Sequence, residues 1–140
     1  MGFFTSLDIS ASGLSSQRTR MNVIASNIAN LNVTRTPEGG PYRRKDVVFQ
    51  TTKMPSFASQ LDSAIIAEGV EVTEIYGDTA PFIQKYEPNH PDADGDGFVA
   101  YPNVNVVEEM TNLVSASRSF EANVMIVQAT KDMALKALQI

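Results

Sequence analysis

The last third of the chain carries a regular alternation of apolar and polar positions. From Val106 onward, steps of four and three residues reach apolar side chains over more than four repeats, and only Ser117 and Lys131 interrupt them. No proline or glycine follows Pro102. This pattern predicts one long helix over residues 104–140 with a coiled-coil seam. The predicted seam residues are Val106, Met110, Leu113, Phe120, Val124, Val127 and Leu138.

The beginning of the chain repeats the same spacing. Steps of three and four from Phe4 reach apolar residues at almost every position up to Ile28, which predicts a second amphipathic helix over residues 1–33. A helix about 50 Å long cannot bury its seam in a core of this size, so the two terminal helices are expected to pair as a coiled-coil hairpin. The N-terminal seam residues are Leu7, Leu14, Met21 and Ile28.

Asparagines crowd the second half of the N-terminal helix. Asn27 and Asn30 lie within two turns of each other inside the apolar pattern. Asparagine is common where a helix frays at its C-terminus, which is one interpretation. The other is that these amides fix the register between packed helices, as polar seam residues do in coiled coils. We predict that Asn27 and Asn30 belong to the assembly seam.

The middle of the chain, residues 34–103, predicts short extended elements instead of helices. Residues 47–52, 69–76 and 82–86 have strand-like composition, and the Gly77-Asp78 turn predicts that the second and third of these form a hairpin. The apolar spacing in residues 54–67 is helical but too brief to assign a secondary structure to this segment. The predicted fold class is therefore mainly α with a small β region: long terminal helices packed as a hairpin, and a hairpin-rich middle.

Charge and composition argue against some classes of function. The net charge is −5, and acidic residues outnumber basic ones by nine to two in residues 51–103, which argues against nucleic-acid binding. No apolar run reaches the roughly 20 residues of a membrane span, and no signal-peptide core is present. The basic cluster at residues 43–45 fits either a solvated turn or a contact with the acidic middle of a neighbouring copy.

One acidic loop has the spacing of a metal site. Asp92, Asp94 and Asp96, followed by Gly97, match the first positions of an EF-hand calcium loop, but Asn103 stands where a bidentate glutamate is needed and no helix precedes the loop. The alternative is an acidic turn leading into a strand at residues 98–101. No catalytic set or cofactor motif is recognisable, so neither an enzyme nor a bound cofactor is predicted.

Three stretches of sequence resemble a known family. They are Ala-Ser-Asn-Ile-Ala-Asn at residues 25–30, the turn at residues 34–45, and the C-terminal stretch with its runs at residues 101–110 and 115–123. Together they are similar to the flagellar axial proteins, which build the rod and hook of the bacterial flagellum. The shortness of the chain fits the rod members, because the hook and distal-rod members carry larger middle domains.

The resemblance implies a structural role. It predicts a subunit of the proximal rod, in the periplasm-spanning part of the basal body, that polymerises with itself and with other rod proteins through its terminal helices. It also implies export through the flagellar type III apparatus without a cleaved signal peptide. Two other classes stay open from the residues alone, a calcium-responsive binding module and a soluble coiled-coil adaptor that stops at a dimer.

Overall fold

The computed structural model describes residues 3–53 and 68–139, so the unassigned segment 54–67 lies outside the described residues. Two helices dominate it: α1 spans Phe3–Ala29 and α2 spans Val106–Leu138. Their 27 and 33 residues correspond to about 40 and 50 Å of helix. The predicted fold, long terminal helices around a small β-rich middle, is confirmed.

The N-terminus of α2 is fixed by its cap. The Asn105 side chain accepts hydrogen bonds from the backbone N–H groups of Val107 and Glu108, which have no partner inside the helix. Glu108 and Glu109 place negative charge in the first turn, where the helix dipole favours it. These residues explain why the helix begins at this position.

The two helices run antiparallel along each other. Asn27 of α1 bonds to Glu109 of α2, and the Cα of Gly13 faces the side chain of Asn123 so closely that an added Cβ would lie 3.0 Å from its nitrogen. The two contacts are 14 residues, or two heptads, apart on both helices. The pairing therefore keeps one register over about four turns, as a coiled-coil hairpin does.

The inward-facing residues of α2, here called the inner face, follow heptad spacing. Three of them are buried: Glu109, Ala116 and Thr130. The half-buried positions lie between and beyond these three. In chain order, the inner face consists of Glu109, Leu113, Ala116, Phe120, Asn123, Val127, Thr130 and Ala134.

The first two strands form an antiparallel pair alongside α1. Strand β1, Lys45–Lys53, pairs with β2, Glu68–Gly77, and a bulge leaves Thr73 of β2 without a partner residue. The predicted hairpin between β2 and the next strand is therefore wrong. The pairing extends past the strands, because the Asp78 amide donates to the Arg44 carbonyl oxygen at 2.8 Å, which holds the end of β2 on β1 and away from the following segment.

A second antiparallel pair joins β3, Ile83–Tyr86, to β4, Phe98–Tyr101. The predicted strand at residues 98–101 is confirmed, with the acidic loop leading into it. Val99 of β4 is almost fully buried, whereas Tyr86 and Phe98 form an exposed edge-to-face pair with ring centres 5.4 Å apart. This pair of strands thus has one face on the protein and one face towards solvent.

Two serines attach β2 to α1. Ser12 Oγ accepts a hydrogen bond from the Val70 backbone N–H, and Ser16 Oγ donates one to the Val70 carbonyl oxygen, both at 3.1 Å. Ser12 and Ser16 are four residues apart and so lie one above the other on the helix. Their hydroxyl groups bond to the Val70 backbone N–H and carbonyl groups in the way that a further strand beside β2 would.

Candidate assembly site

A buried amide joins the C-terminal half of α1 to the rest of the molecule. Asn27 is 1% exposed, and its Nδ2 donates to the Lys45 carbonyl oxygen at 2.8 Å and to Glu109 Oε2 at 3.1 Å. Its Oδ1 accepts from the Lys45 backbone N–H at 2.9 Å and from the Tyr42 hydroxyl at 3.0 Å. All four hydrogen-bonding positions of this amide are therefore occupied.

The carboxylate of Glu109 is completely buried and carries two partners. Arg44 Nε donates to Oε1 at 2.7 Å, while Asn27 holds Oε2. Arg44 reaches Asp46 as well, with Nη1 3.3 Å from Oδ2. We call Asn27, Tyr42, Arg44 and Glu109 the polar network.

Arg44 is mostly buried, and its charge is held in place by acids. Burial alone lowers the pKa of its guanidinium, but the hydrogen bond and charge of Glu109, followed by those of Asp46, outweigh this effect and raise the pKa above its usual value. A buried charge is costly unless it is paired and hydrogen-bonded. The polar network meets that requirement only when α1, α2 and the start of β1 are all in place.

The segment between α1 and β1 folds back onto the end of α1. Tyr42 is buried, its backbone N–H donates to the Val33 carbonyl oxygen at 3.0 Å, and its hydroxyl lies 3.4 Å from Ser26 Oγ. Asn30, predicted as a seam residue, directly follows α1, and its side chain donates to the Ser26 carbonyl oxygen in the last turn of that helix at 2.8 Å. Gly39 and Gly40 adopt positive φ values of 90° and 78°, which allow the chain to turn tightly here.

The structure places the predicted seam residues unevenly. Asn27 is buried, and three residues of the C-terminal seam lie on the inner face of α2. Met110 is 56% exposed and Leu138 is 84% exposed. The predicted residues that are half-buried are Leu7, Leu14, Met21, Ile28, Asn30, Val106, Leu113, Phe120, Val124 and Val127.

The exposure of Met110 and Leu138 has simple geometric causes. The inner face begins at Glu109, one residue before Met110, so Met110 points away from α1. Gly13 lies opposite Asn123, so the start of α1 at Phe3 lies level with residue 133 and Leu138 extends past it. Within one chain, neither is a helix-pairing residue, and their part in assembly stays a prediction.

The side of α2 opposite α1 exposes apolar residues in two patches. Val107, Met110 and Val114 form the first, at the N-terminal end, and Met125, Ile126 and Met133 form the second. Arg118 and Glu121 separate them. We call the two patches the outer face. Exposed apolar groups arranged along one side of a helix are typical of a surface that another protein covers.

Sequence reasoning missed three members of the polar network. Glu109 is not among the predicted seam residues, and Arg44 enters the sequence-based prediction only as part of the basic cluster at residues 43–45. In the structure, Arg44 forms ion pairs with Glu109 and Asp46 of the same chain. From the sequence, only a solvated turn or a contact with a neighbouring copy was predicted for this cluster. The usable signal was the position of Glu109 itself, since it is a charged residue at heptad spacing from Ala116.

The acidic loop satisfies its own backbone. Asp94 Oδ1 accepts from the backbone N–H groups of Asp96 and Phe98, at 3.1 and 2.9 Å. Asp92 points instead to Thr34, whose hydroxyl donates to Oδ2 at 2.8 Å. Among the described residues, no three acidic or histidine side chains come together as a metal site would require.

His90 and Tyr101 pack beside this loop. His90 Nδ1 accepts from the Asp92 backbone N–H at 3.1 Å, and its ring meets that of Tyr101 at 6.4 Å. The Tyr101 hydroxyl donates to Glu87 Oε2 at 3.0 Å, which raises the pKa of the tyrosine. These contacts hold the loop against β4, a structural arrangement.

Neither α1 nor α2, within their described residues, is apolar enough along its length to cross a membrane. Two family models match the chain. One, described as flagella basal body rod protein, matches residues 7–35. The other, described as the C-terminal part of the flagellar basal body rod FlgEFG proteins, matches residues 96–140. The first match covers most of α1 and the second includes all of α2.

Full-length relatives are similar from end to end. The chain is 43% identical to the flagellar basal-body rod protein FlgC of Borreliella burgdorferi, with 100% of this chain and 98% of the relative covered. It is 46% identical to FlgC of Bacillus subtilis (100% and 99%) and 44% identical to FlgC of Escherichia coli O157:H7 (99% and 97%). The chain therefore belongs to the family of flagellar basal-body rod proteins, and within it to the FlgC proteins.

Proposed function

We propose that this chain is a structural subunit of the proximal rod of the flagellar basal body, assembled by packing its terminal helices against copies of itself and other rod proteins. Membership of the rod family carries the structural role. The outer face of α2 is the observation that supports packing against neighbours, because its apolar side chains have no cover within the described part of the chain.

The two faces of α2 have different roles in this proposal. The inner face pairs with α1 and brings the polar network together, so that each subunit presents α2 in a defined orientation. The outer face is then free to contact the next subunit. A contact between different surfaces of identical subunits that does not close on itself generates a helical filament, which is the architecture of a rod.

The proposal includes the route and the place of assembly. A rod subunit has to cross the inner membrane before it can polymerise, and we propose that it does so through the flagellar type III export apparatus without a cleaved signal peptide. The assembled chain would lie in the periplasm-spanning rod. Both statements rest on the family and its resemblance to exported axial proteins.

The outer face gives a direct test. Met125 is 62% exposed, so Met125→Asp should leave the helix pair folded. It should weaken the contact with a neighbour, because burying the methionine there would contribute about 1.5–3 kcal/mol and burying an unpaired charge is unfavourable. Cells that carry only this variant should export the chain and fail to swim. Gln128→Asp, an exposed polar position on the same helix, is the matched control and should swim normally. Normal swimming with Met125→Asp would contradict the role of the outer face.

A further inference from the structure

A cleft with a volume of about 550 Å³ opens beside the C-terminal end of α1. The turn at residues 36–42 forms one side, and Asn30, Arg43, Lys45 and Phe82 contribute the rest of the lining. The guanidinium carbon of Arg43 lies 4.5 Å from the centre of the Phe82 ring, and Lys45 Nζ lies 6.0 Å from that of Tyr42. We call this the basic cleft.

The two cations of the cleft are exposed and lack an acidic partner in the described part of the chain. Arg43 Nη1 donates to the Asp78 backbone carbonyl oxygen, at 3.1 Å, and the ion pairs of the described residues involve Arg35 and Arg44 instead. Glu38 also lines the cleft, at its exposed turn. The cleft thus offers two positive charges on aromatic rings against one negative charge.

Strand β2 presents the complementary charge. Glu71 and Glu74 lie three residues apart, which in a regular strand would put them on opposite faces. The bulge at Thr73 changes this: Glu74 is paired with Val48 and Glu71 with Gln50, and these β1 residues share a face because they are two apart. Both glutamates are exposed and have no ion pair in the described residues. We call this pair the acidic face.

Within one molecule, the acidic face lies on the side of the β1–β2 pair away from Lys45, and Glu71 is also distant from Lys45 along α1. Lys45 lies on the opposite side of the β1–β2 pair from Gln50, because the two positions differ by an odd number of residues. Lys45 is also level with Asn27, whereas Val70, next to Glu71, is level with Ser12 and Ser16. The part of α1 between these two levels is roughly 20 Å long, so Lys45 and Glu71 are separated by about this distance along the helix axis.

We propose that the acidic face of one copy docks in the basic cleft of the next copy along the rod. This inference rests on the self-assembly part of the proposed function and adds a partner surface in the β region. The two surfaces carry opposite charge, Lys45 and Glu71 lie at different heights along α1, and neither surface has an ion pair among the described residues. They therefore suit copies displaced along the helix axis, with charge complementarity setting which surfaces meet.

Charge exchange tests the docking in cells. Arg43→Glu with Lys45→Glu reverses the cleft, and Glu71→Lys with Glu74→Lys reverses the face. Each pair alone should lower the amount of chain recovered in purified basal bodies about tenfold, and all four changes together should restore most of it. Lys53→Glu with Lys85→Glu makes the same charge change at exposed positions outside the cleft and should have little effect.

Cross-linking identifies the partner as a second copy. The chain contains no cysteine, so Lys45→Cys and Glu71→Cys introduce the only thiols. Treatment of basal bodies with a short bismaleimide should give a ladder of linked chains for the double variant and none for either single variant. No ladder, or a fourfold variant no better than its parents, would overturn the docking and leave the rod proposal intact. Wild-type chain missing from basal bodies would overturn the proposed function, and the docking with it.

Discussion

At the scale of single residues, buried polar groups determine how the two helices meet. Asn27 and Glu109 are among the least exposed side chains of the described chain. Apolar residues could slide past each other by a turn at little cost. An amide with four hydrogen bonds and a carboxylate with two partners cannot, because any other register leaves them buried and unsatisfied.

Replacing Asn27 by aspartate should be severe. Asn27→Asp removes the donor to Glu109 and puts a second carboxylate about 3 Å from it, so that two buried like charges face each other. We expect a loss of about 3–5 kcal/mol in the free energy of unfolding, measured by urea denaturation, and no swimming. Asn30→Asp is the control, since the side-chain hydrogen bonds of Asn30 go only to Ser26 among the described residues, and it should lose less than about 1 kcal/mol. Equal losses would show that the position of Asn27 in the network is irrelevant.

The Arg44–Glu109 pair should behave as a unit. Arg44→Met leaves the Glu109 carboxylate buried with only an amide partner, and Glu109→Leu leaves Arg44 with only Asp46, so each change should cost about 3–5 kcal/mol.

The double variant Arg44→Met with Glu109→Leu should be more stable than either single variant, because no unpaired charge stays buried. Urea denaturation of the four proteins gives the coupling energy directly. Costs that simply add would mean that the two side chains act independently.

At the scale of elements, apolar periodicity predicted the helices better than their faces. The heptad steps located α1 and α2 and their antiparallel pairing. They missed the inner face at Glu109, Asn123 and Thr130, because a polar residue is buried only when its partners arrive from elsewhere in the fold. Those partners, such as the Arg44 side chain, are not visible in the local pattern of α2.

The strands show the same division. Residues 47–52, 69–76 and 98–101 were recognised from composition, but the partner of β2 was wrong. Strand composition reflects burial on one face and says little about which edge is paired. Here the choice depends on β1 and on the Ser12 and Ser16 contacts, which lie far away in sequence.

The close approach of the two helices at Gly13 can be tested by introducing a larger side chain at this position. Gly13→Leu would push a side chain into Asn123, which lies 3.0 Å from an added Cβ, and should lower the free energy of unfolding by about 1–3 kcal/mol. Ala11→Leu, on the exposed side of the same helix, is the matched control and should have little effect. Asn123→Ala should recover part of the loss in the Gly13 variant. Full stability of Gly13→Leu alone would show that the helices do not touch at this level.

At the scale of the whole molecule, little apolar surface is buried among the residues that the structure describes. The buried apolar side chains gather at one end of the helix pair, around Val23, Ile24, Tyr42, Val99 and Val104. At the other end of the pair, the buried residues are the polar Ser10, Ser16 and Thr130, and apolar residues such as Leu7, Leu14 and Val127 are only half-buried. The outer face of α2 is left uncovered by the described residues. Stability should therefore fall with distance from the polar network, and neighbouring subunits should supply what one chain lacks.

This gradient predicts the behaviour of the isolated subunit. Ordering each residue costs about 1–2 kcal/mol, which the thinly packed end of the helix pair cannot offset alone. Circular dichroism of the dilute chain should thus show fewer than the 60 helical residues of α1 and α2. Hydrogen exchange should be slowest near Asn27 and Glu109 and fast beyond residue 128, and assembly into rods should slow exchange there most. Uniform protection along α2 in the dilute monomer would contradict this, because it would mean that the helix pair is stable without neighbours.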